Sequence, residues 1–281
     1  MKDAQIGVQA GRILERLRRL DERLPEIRRS LRRHASAIAL RQPRIAIQAF
    51  GAMQVAVDGR KISGQAWKSQ QQRDLLFYLL QHNKGASKER MDRDIWGSVE
   101  ENSARLRNAL YKIRQSLGLD VIIYQDGLYF FNPALDYEYD VENFRYHLAQ
   151  ARAENADHMG CRALQRVVDL YQGDYAVGAE GHWVVAERER LYQEYLWAVA
   201  SLVERLMGQG QYTNSQDVCL HAMELDPQQE EFYRLAMRVA VAKGDHGGVH
   251  HFYQLCRRAL NKPKVAEPSD QTYRLYKQLT T

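Results

Sequence analysis

Beyond Val141 the apolar residues of this chain recur only at helical spacing, through Phe144–Tyr171, Trp183–Met207, Tyr212–Leu225, Glu230–Lys243 and Gly247–Leu260. So long a stretch with no alternating apolar–polar run restricts the back half to packed helices. Gly173, Gly178, Gly208, Gly210, Pro227, Gly244 and Pro263 separate the helical stretches. Glycine leaves helical geometry at little cost and proline cannot continue a helix, so both mark its ends.

Gly210 and Gly244 lie 34 residues apart, and at the same offset Cys219 matches Tyr253 and Ala222 matches Cys256. That is the period of a tetratricopeptide repeat, in which paired helices stack on the next pair. Asp226-Pro227 sits where such a repeat ends on proline, whereas the second copy has Asn261 there with Pro263 close by.

The front half reads differently. After Gln42-Pro43, the segment RIAIQAFGAMQVAVDGRKI alternates apolar and polar residues, with Asp58-Gly59 as a hairpin turn, which predicts a small antiparallel sheet. Three helices are expected next. The first spans about Ser69–Gln81, with Leu75, Leu76, Leu79 and Leu80 on one face. The second spans about Lys88–Trp96 behind a Ser87 cap. The third spans about Ser103–Leu117, with Gly118 as its stop. VIIYQDGLYFF then supplies two β-rich runs around Asp126-Gly127, and Asn132-Pro133 closes the unit.

Ahead of this lies a basic extension. Ile6, Ile13, Leu20 and Ile27 are spaced by seven, as are Ala10, Leu17, Leu24, Leu31 and Ile38. The two series interleave as heptad d and a positions, so residues 6–38 read as one or two helices. Pro25 predicts a kink or a fresh helix start. A coiled coil that makes the protein a homodimer is one reading. A helix packed on its own chain, or a linker from an upstream module, are the others. Arg12, Arg16, Arg18, Arg19, Arg28, Arg29, Arg32 and Arg33 are read as its solvated face. The division expected is therefore 1–42, 43–133 and 134–281.

Charge separates the parts. Residues 1–42 carry net +6, 43–131 net +4 and 132–281 net −5. A basic front on an acidic back points to a polyanion met by the front alone. Within the front, the third helix concentrates the chemistry. Leu106, Leu110, Ile113 and Leu117 form a buried stripe at four, three and four spacing. The opposite face presents Arg105, Asn108, Tyr111, Lys112 and Gln115, with Arg107 and Arg114 at its edges. Arginine can bond guanine in two places and asparagine adenine, while lysine and tyrosine grip phosphates or read bases. Lys68 and Arg73, flanking the first helix, are further phosphate candidates. Trp67 and Trp96 are read as core. So are Trp183, Trp197, Tyr171, Tyr192 and Tyr253 in the back half.

Taken together, the order and spacing of several phrases resemble the Streptomyces antibiotic regulatory protein type of transcriptional regulator. In front these are FGAMQVAVDGRKI, KSQQQRDLLFYLLQHNKG, DIWG and NSARLRNALYKIRQSLG. Behind are LYQGDY at Leu170–Tyr175, Trp183, ERERL at Glu187–Leu191, ELDPQQE at Glu224–Glu230, KGD at Lys243–Asp245, YQLCRRAL at Tyr253–Leu260 and EPSDQTYRLY at Glu267–Tyr276. The resemblance covers about Arg44–Leu279. NKPKVAEPS departs from the glycine-containing, leucine-rich phrase usual before the EPS motif, and the first forty residues lie outside the pattern.

The resemblance implies a multidomain chain. An α+β winged helix-turn-helix of OmpR/PhoB type would precede an all-α tetratricopeptide-like bacterial transcriptional activation domain, with the helical extension in front. It implies double-stranded DNA as partner, a hairpin wing near Gln125 against the minor groove or backbone, and an activation domain serving dimer contacts or RNA polymerase. The wing tip carries no cation, so its contact is expected to be weak. No receiver domain is expected before the winged helix, and no ATPase or phosphopeptide-reading module after the activation domain.

No enzyme is expected, because the chain holds no GxxxxGK[ST], GxSxG or HExxH pattern. No cofactor is expected either. His246 and His250 have a spacing that can hold a metal, but nothing at an obvious distance completes a site. Cys161, Cys219 and Cys256 are read as reduced thiols in helix packing. The N-terminus lacks the apolar run of a signal peptide, and no apolar run approaches the ~18–20 residues of a membrane span. The expected location is cytoplasmic. The rival functional class is a helical-repeat scaffold, adaptor or ligand sensor whose winged helix binds protein rather than DNA.

Overall fold

The computed structural model describes residues 23–32, 44–64, 66–67, 69–98, 104–153, 158–261 and 267–280. They fall into two compact units. One ends at Asn143 and also holds Tyr175–Arg188; the other comprises Phe144–Asp174 and Glu189–Thr281.

The first unit begins with a helical segment over residues 23–32, α1. The remainder of the expected 6–38 helix lies outside the described residues. Three strands follow: β1 (Ile45–Gln48), β2 (Gln54–Val57) and β3 (Arg60–Lys61). β1 pairs antiparallel with β2, matching Ile45 to Val57 and Ile47 to Val55. Ile45 and Ile47 face the core while Gln48 is exposed, as a half-buried strand requires. Asp58 and Gly59 both take positive φ, at 47° and 78°, the two-residue turn that suits the twist of a hairpin.

Three helices come next: α2 (Gln70–Gln81), α3 (Lys88–Trp96) and α4 (Ala104–Leu117). α2 is buried along its whole second half, Asp74 to Leu80, and packs against α3, α4 and the hairpin that follows. Ser87 caps α3 by accepting the Arg90 N–H at 3.3 Å, and Gly97 ends it in the left-handed region. Strands β4 (Ile122–Gln125) and β5 (Leu128–Phe131) form the expected hairpin, its turn at Asp126 (φ 50°) and Gly127 (φ 80°).

Two segments beyond the expected end at Pro133 belong to this unit. β6 (Tyr137–Tyr139) pairs parallel with β1, giving the sheet order β3-β2-β1-β6. Tyr175–Arg188 returns to the same unit: the Ala176 N–H donates to Ala49 O at 2.7 Å and the Val177 N–H to Gly51 O at 3.1 Å. The sequence reading places the boundary at 133. The structure divides the chain elsewhere, because three residues are too short for an alternation signal and the second pairing is made across more than a hundred residues.

The second unit is helical: α5 (Asp140–Ala153, whose first turn lies in the first unit), α6 (His158–Leu170), α7 (His182–Gly208, its last twenty residues here), α8 (Tyr212–Leu225), α9 (Glu230–Ala242), α10 (His246–Asn261) and α11 (Asp270–Thr280). The stretch read as one helix from Phe144 to Tyr171 is two. The sequence reading assigns no helix to α11.

The 34-residue offset has a structural basis. α8 and α10 start at equivalent positions after Gly210 (φ 72°) and Gly244 (φ 78°). The pairs Ser215 and Val249, Val218 and Phe252, Cys219 and Tyr253, and Ala222 and Cys256 are all buried. α9 packs against α8, α10 and α11. Tyr171 stacks on Tyr195 with ring centres 4.1 Å apart, and Tyr192 hydrogen-bonds Asp226 at 2.5 Å. Trp197 departs from its core expectation: it is 37% exposed, with Arg152 over its ring at 5.0 Å. All three cysteines are free and buried.

Candidate nucleic-acid interface

α4 divides its side chains by face. Leu106, Ala109, Leu110, Ile113 and Leu117 are buried, the predicted stripe with one alanine added. On the opposite side Arg107, Asn108, Tyr111, Arg114 and Gln115 are exposed. Asn108, Tyr111 and Gln115 recur at three and four residues, so they line up along one strip of the helix. Tyr111 is 64% exposed. Lys112 is half-buried at the edge of the strip.

Two of the predicted contact residues also serve the protein's own body. Arg105 donates from Nη2 to Ser98 O at 2.7 Å, lies 3.8 Å from the Asp92 carboxylate, and covers the Trp96 ring at 5.0 Å. Asp92 is 1% exposed and takes Lys88 at 2.8 Å as well. A buried carboxylate left without such partners is costly; Lys88 neutralises it from within α3, and Arg105 ties α3 to the start of α4. At the other end Arg114 donates to Asp120 at 2.7 Å and to Ile122 O at 2.9 Å. It ties the end of α4 to the first strand of the hairpin. The Arg105 contacts join residues with no periodic relation in the chain. The Arg114 pair carries a faint signal, an acid two residues past the Gly118 stop.

The remaining candidates are scattered. Gln125 is exposed beside the hairpin turn, and its neighbour Tyr124 is 63% exposed with its ring 4.6 Å from Tyr129. Burial raises the Tyr129 phenol above its usual range, helped by Tyr124. Arg73 is half-buried on α2, 3.9 Å from Asp74. Burial raises the Asp74 carboxyl to about 6 against the lowering influence of Arg73. Lys68 and Ser103, the expected start of the third helix, lie outside the described residues. Trp67 and Trp96 are half-buried, and Trp96 Nε1 donates to Gln71 at 3.0 Å.

The hairpin is held to the helices at a defined place. The Ala86 N–H donates to Tyr129 O at 3.0 Å, and the Tyr129 N–H returns to Ala86 O at 2.9 Å. Among the described residues no three His, Cys, Asp or Glu side chains could hold a metal together. His250 Nδ1 instead lies 2.9 Å from the Tyr276 hydroxyl. No described helix is long and apolar enough to cross a membrane.

Comparison with known proteins places these units. The solved structure of Mycobacterium tuberculosis EmbR in complex with a low-affinity phosphopeptide is similar at a TM-score of 0.59 and 15% identity, over 85% of this chain. The match takes in 65% of the EmbR chain, so the present chain spans less than two thirds of that chain's length. At such identity the likeness concerns the fold. No curated protein matches the sequence. The family described as bacterial transcriptional activator domain matches residues 139–280, all seven helices from α5 to α11. That family is one of transcriptional activation rather than of catalysis, and on a match across half its length this chain belongs to the bacterial transcriptional activator domain family.

Proposed function

We propose that this chain is a sequence-specific DNA-binding transcriptional activator, whose first unit is a winged helix of OmpR/PhoB type with α4 as its recognition helix. The observation that carries the reading is the strip of Arg107, Asn108, Tyr111 and Gln115, opposite a wholly apolar buried face. A B-DNA major groove admits one helix. Arg107 and Asn108 read base edges in this account, and Tyr111, Lys112 and Gln115 contact phosphates or neighbouring bases. Arg105 and Arg114 hold the helix at the angle the groove requires. The β4–β5 hairpin is the wing, and its cation-free tip gives the weaker contact. The acidic charge of residues 132–281 repels a duplex and leaves the helical unit for RNA polymerase or another protein. A cytoplasmic location follows from DNA as partner.

The test is selection of bound duplexes from a random pool with the full chain. One enriched motif is expected. Arg107→Ala and Asn108→Ala should each weaken binding to it by about 1–3 kcal/mol. Lys112→Ala should lower the salt slope by about 0.9. Arg105→Ala should lower the melting temperature, with the selected motif unchanged in the folded protein. A pool that enriches nothing, or binding indifferent to salt, removes the DNA reading.

A further inference from the structure

α1 is docked inside out. A surface helix ordinarily buries its apolar stripe and leaves its charges in water. Here the charged side makes the contacts. Arg29 donates to Pro133 O at 3.0 Å and Leu135 O at 2.8 Å, with its guanidinium 4.5 Å over the Tyr137 ring. Arg32 donates to Asp136 at 2.5 Å with only 10% of its side chain exposed, and Arg28 stands 3.8 Å from the same carboxylate. These contacts fix the helix beside β6, inside the first unit. They also settle which way its other side points. Leu24, Ile27 and Leu31 are 37%, 44% and 50% exposed.

Leaving three large aliphatic side chains in water on a helix anchored by arginines forfeits roughly 25 cal/mol for every Å² of apolar surface that a partner would cover. The sequence says what partner fits. Leu24 and Leu31 occupy a positions and Ile27 the d position between them; in the sequence the a series continues on both sides, at Leu17 and Ile38, and the d series on the N-terminal side, at Leu20. Such a seam is self-complementary, because each knob meets a hole made by the same residues of an identical helix. Pro25 falls at b, off the seam. A single protein pocket for an unrelated ligand would not require a repeat of seven.

We propose that the Leu24–Ile27–Leu31 face is the dimerisation surface of this protein, and that its occupant is the same face of a second copy, with a positions opposed. The pairing stands whether or not the first unit binds DNA. It also gives the arginine contacts a purpose: they hold the seam outward at a fixed place on the unit.

Two measurements on the full chain test this. In sedimentation at micromolar concentration the wild type should run as two chains, and the Leu24→Asp, Ile27→Asp, Leu31→Asp triple variant as one. The three side chains are exposed, so its melting temperature should stay within a few degrees. Mild oxidation of Leu24→Cys should give a cross-linked pair several-fold faster than Glu26→Cys on the flank. The three native cysteines are buried and contribute no background. A wild type that sediments as a single chain, a triple variant that stays paired, or equal cross-linking at positions 24 and 26 each overturn the proposal. A single-chain wild type would mean that the face is covered by the protein's own remaining residues.

Discussion

Asp140 accepts the backbone N–H of Phe50 at 2.9 Å, ninety positions away in the chain. The same oxygen takes the Ala49 N–H at 2.8 Å, and the other oxygen takes the Val141 N–H at 2.8 Å. One carboxyl thus closes the end of β1 and opens α5, the first helix of the activator family match. Its burial sets a pH dependence. Desolvation raises the Asp140 carboxyl from 3.8 to about 6, against the lowering influence of those N–H donors. The folded state therefore holds this proton more tightly than the unfolded state does. The resulting stability is complete below about pH 4 and is lost as pH rises through 6. A shift of this size corresponds to roughly 3 kcal/mol. Denaturant melts of wild type and Asp140→Asn should show wild type losing ground between about pH 4 and 6 and levelling off above that window. A difference that stays constant across that range would refute the assignment.

A fragment of residues 43–133 should fold poorly. It lacks β6, the Asp140 closure of β1 and the returning Tyr175–Arg188 segment, whose Trp183 meets Tyr78 edge-on at 5.6 Å and accepts from Gln81 at 3.1 Å. Tyr78 and the leucines around it are fully buried in the intact unit, so cutting these segments away opens the core. Circular dichroism should show a broad melt well below that of the full chain. A melt as sharp and as high would show that the later segments are dispensable.

Gly85 joins α2 to α3, and its substitution should loosen the hairpin. Its φ is +86°, and a Cβ there would come within 2.5 Å of the Phe130 ring. A left-handed non-glycine residue costs of order 1–3 kcal/mol, and here Phe130 must move as well. Gly85→Ala should lower the melting temperature by several degrees. Gly97→Ala, left-handed at 72° but with open space around it, should cost less. Equal losses at the two sites would mean that the Phe130 contact contributes nothing.

The helices of this protein were legible because their signals are local. The limits of α3, the buried stripe of α4, both Asp-Gly turns and the 34-residue offset between α8 and α10 follow from spacing, capping and turn chemistry that act within a few residues. The exposed strip of α4 was legible for the same reason. What tertiary structure alone decided is non-local. A three-residue strand carries no periodic signature, so β6 emerges only through its pairing with β1. Arg105 and Arg107 are both cations on one helix, and only the position of Asp92, Ser98 and Trp96 turns Arg105 inward while Arg107 is exposed. On α1 the two faces, one of leucine and isoleucine and one of arginine, follow from residue spacing alone. Which of them rests on the protein depended on where the chain placed the Asp136 carboxylate and the carbonyls of Pro133 and Leu135, because a guanidinium can be buried only where such acceptors wait for it.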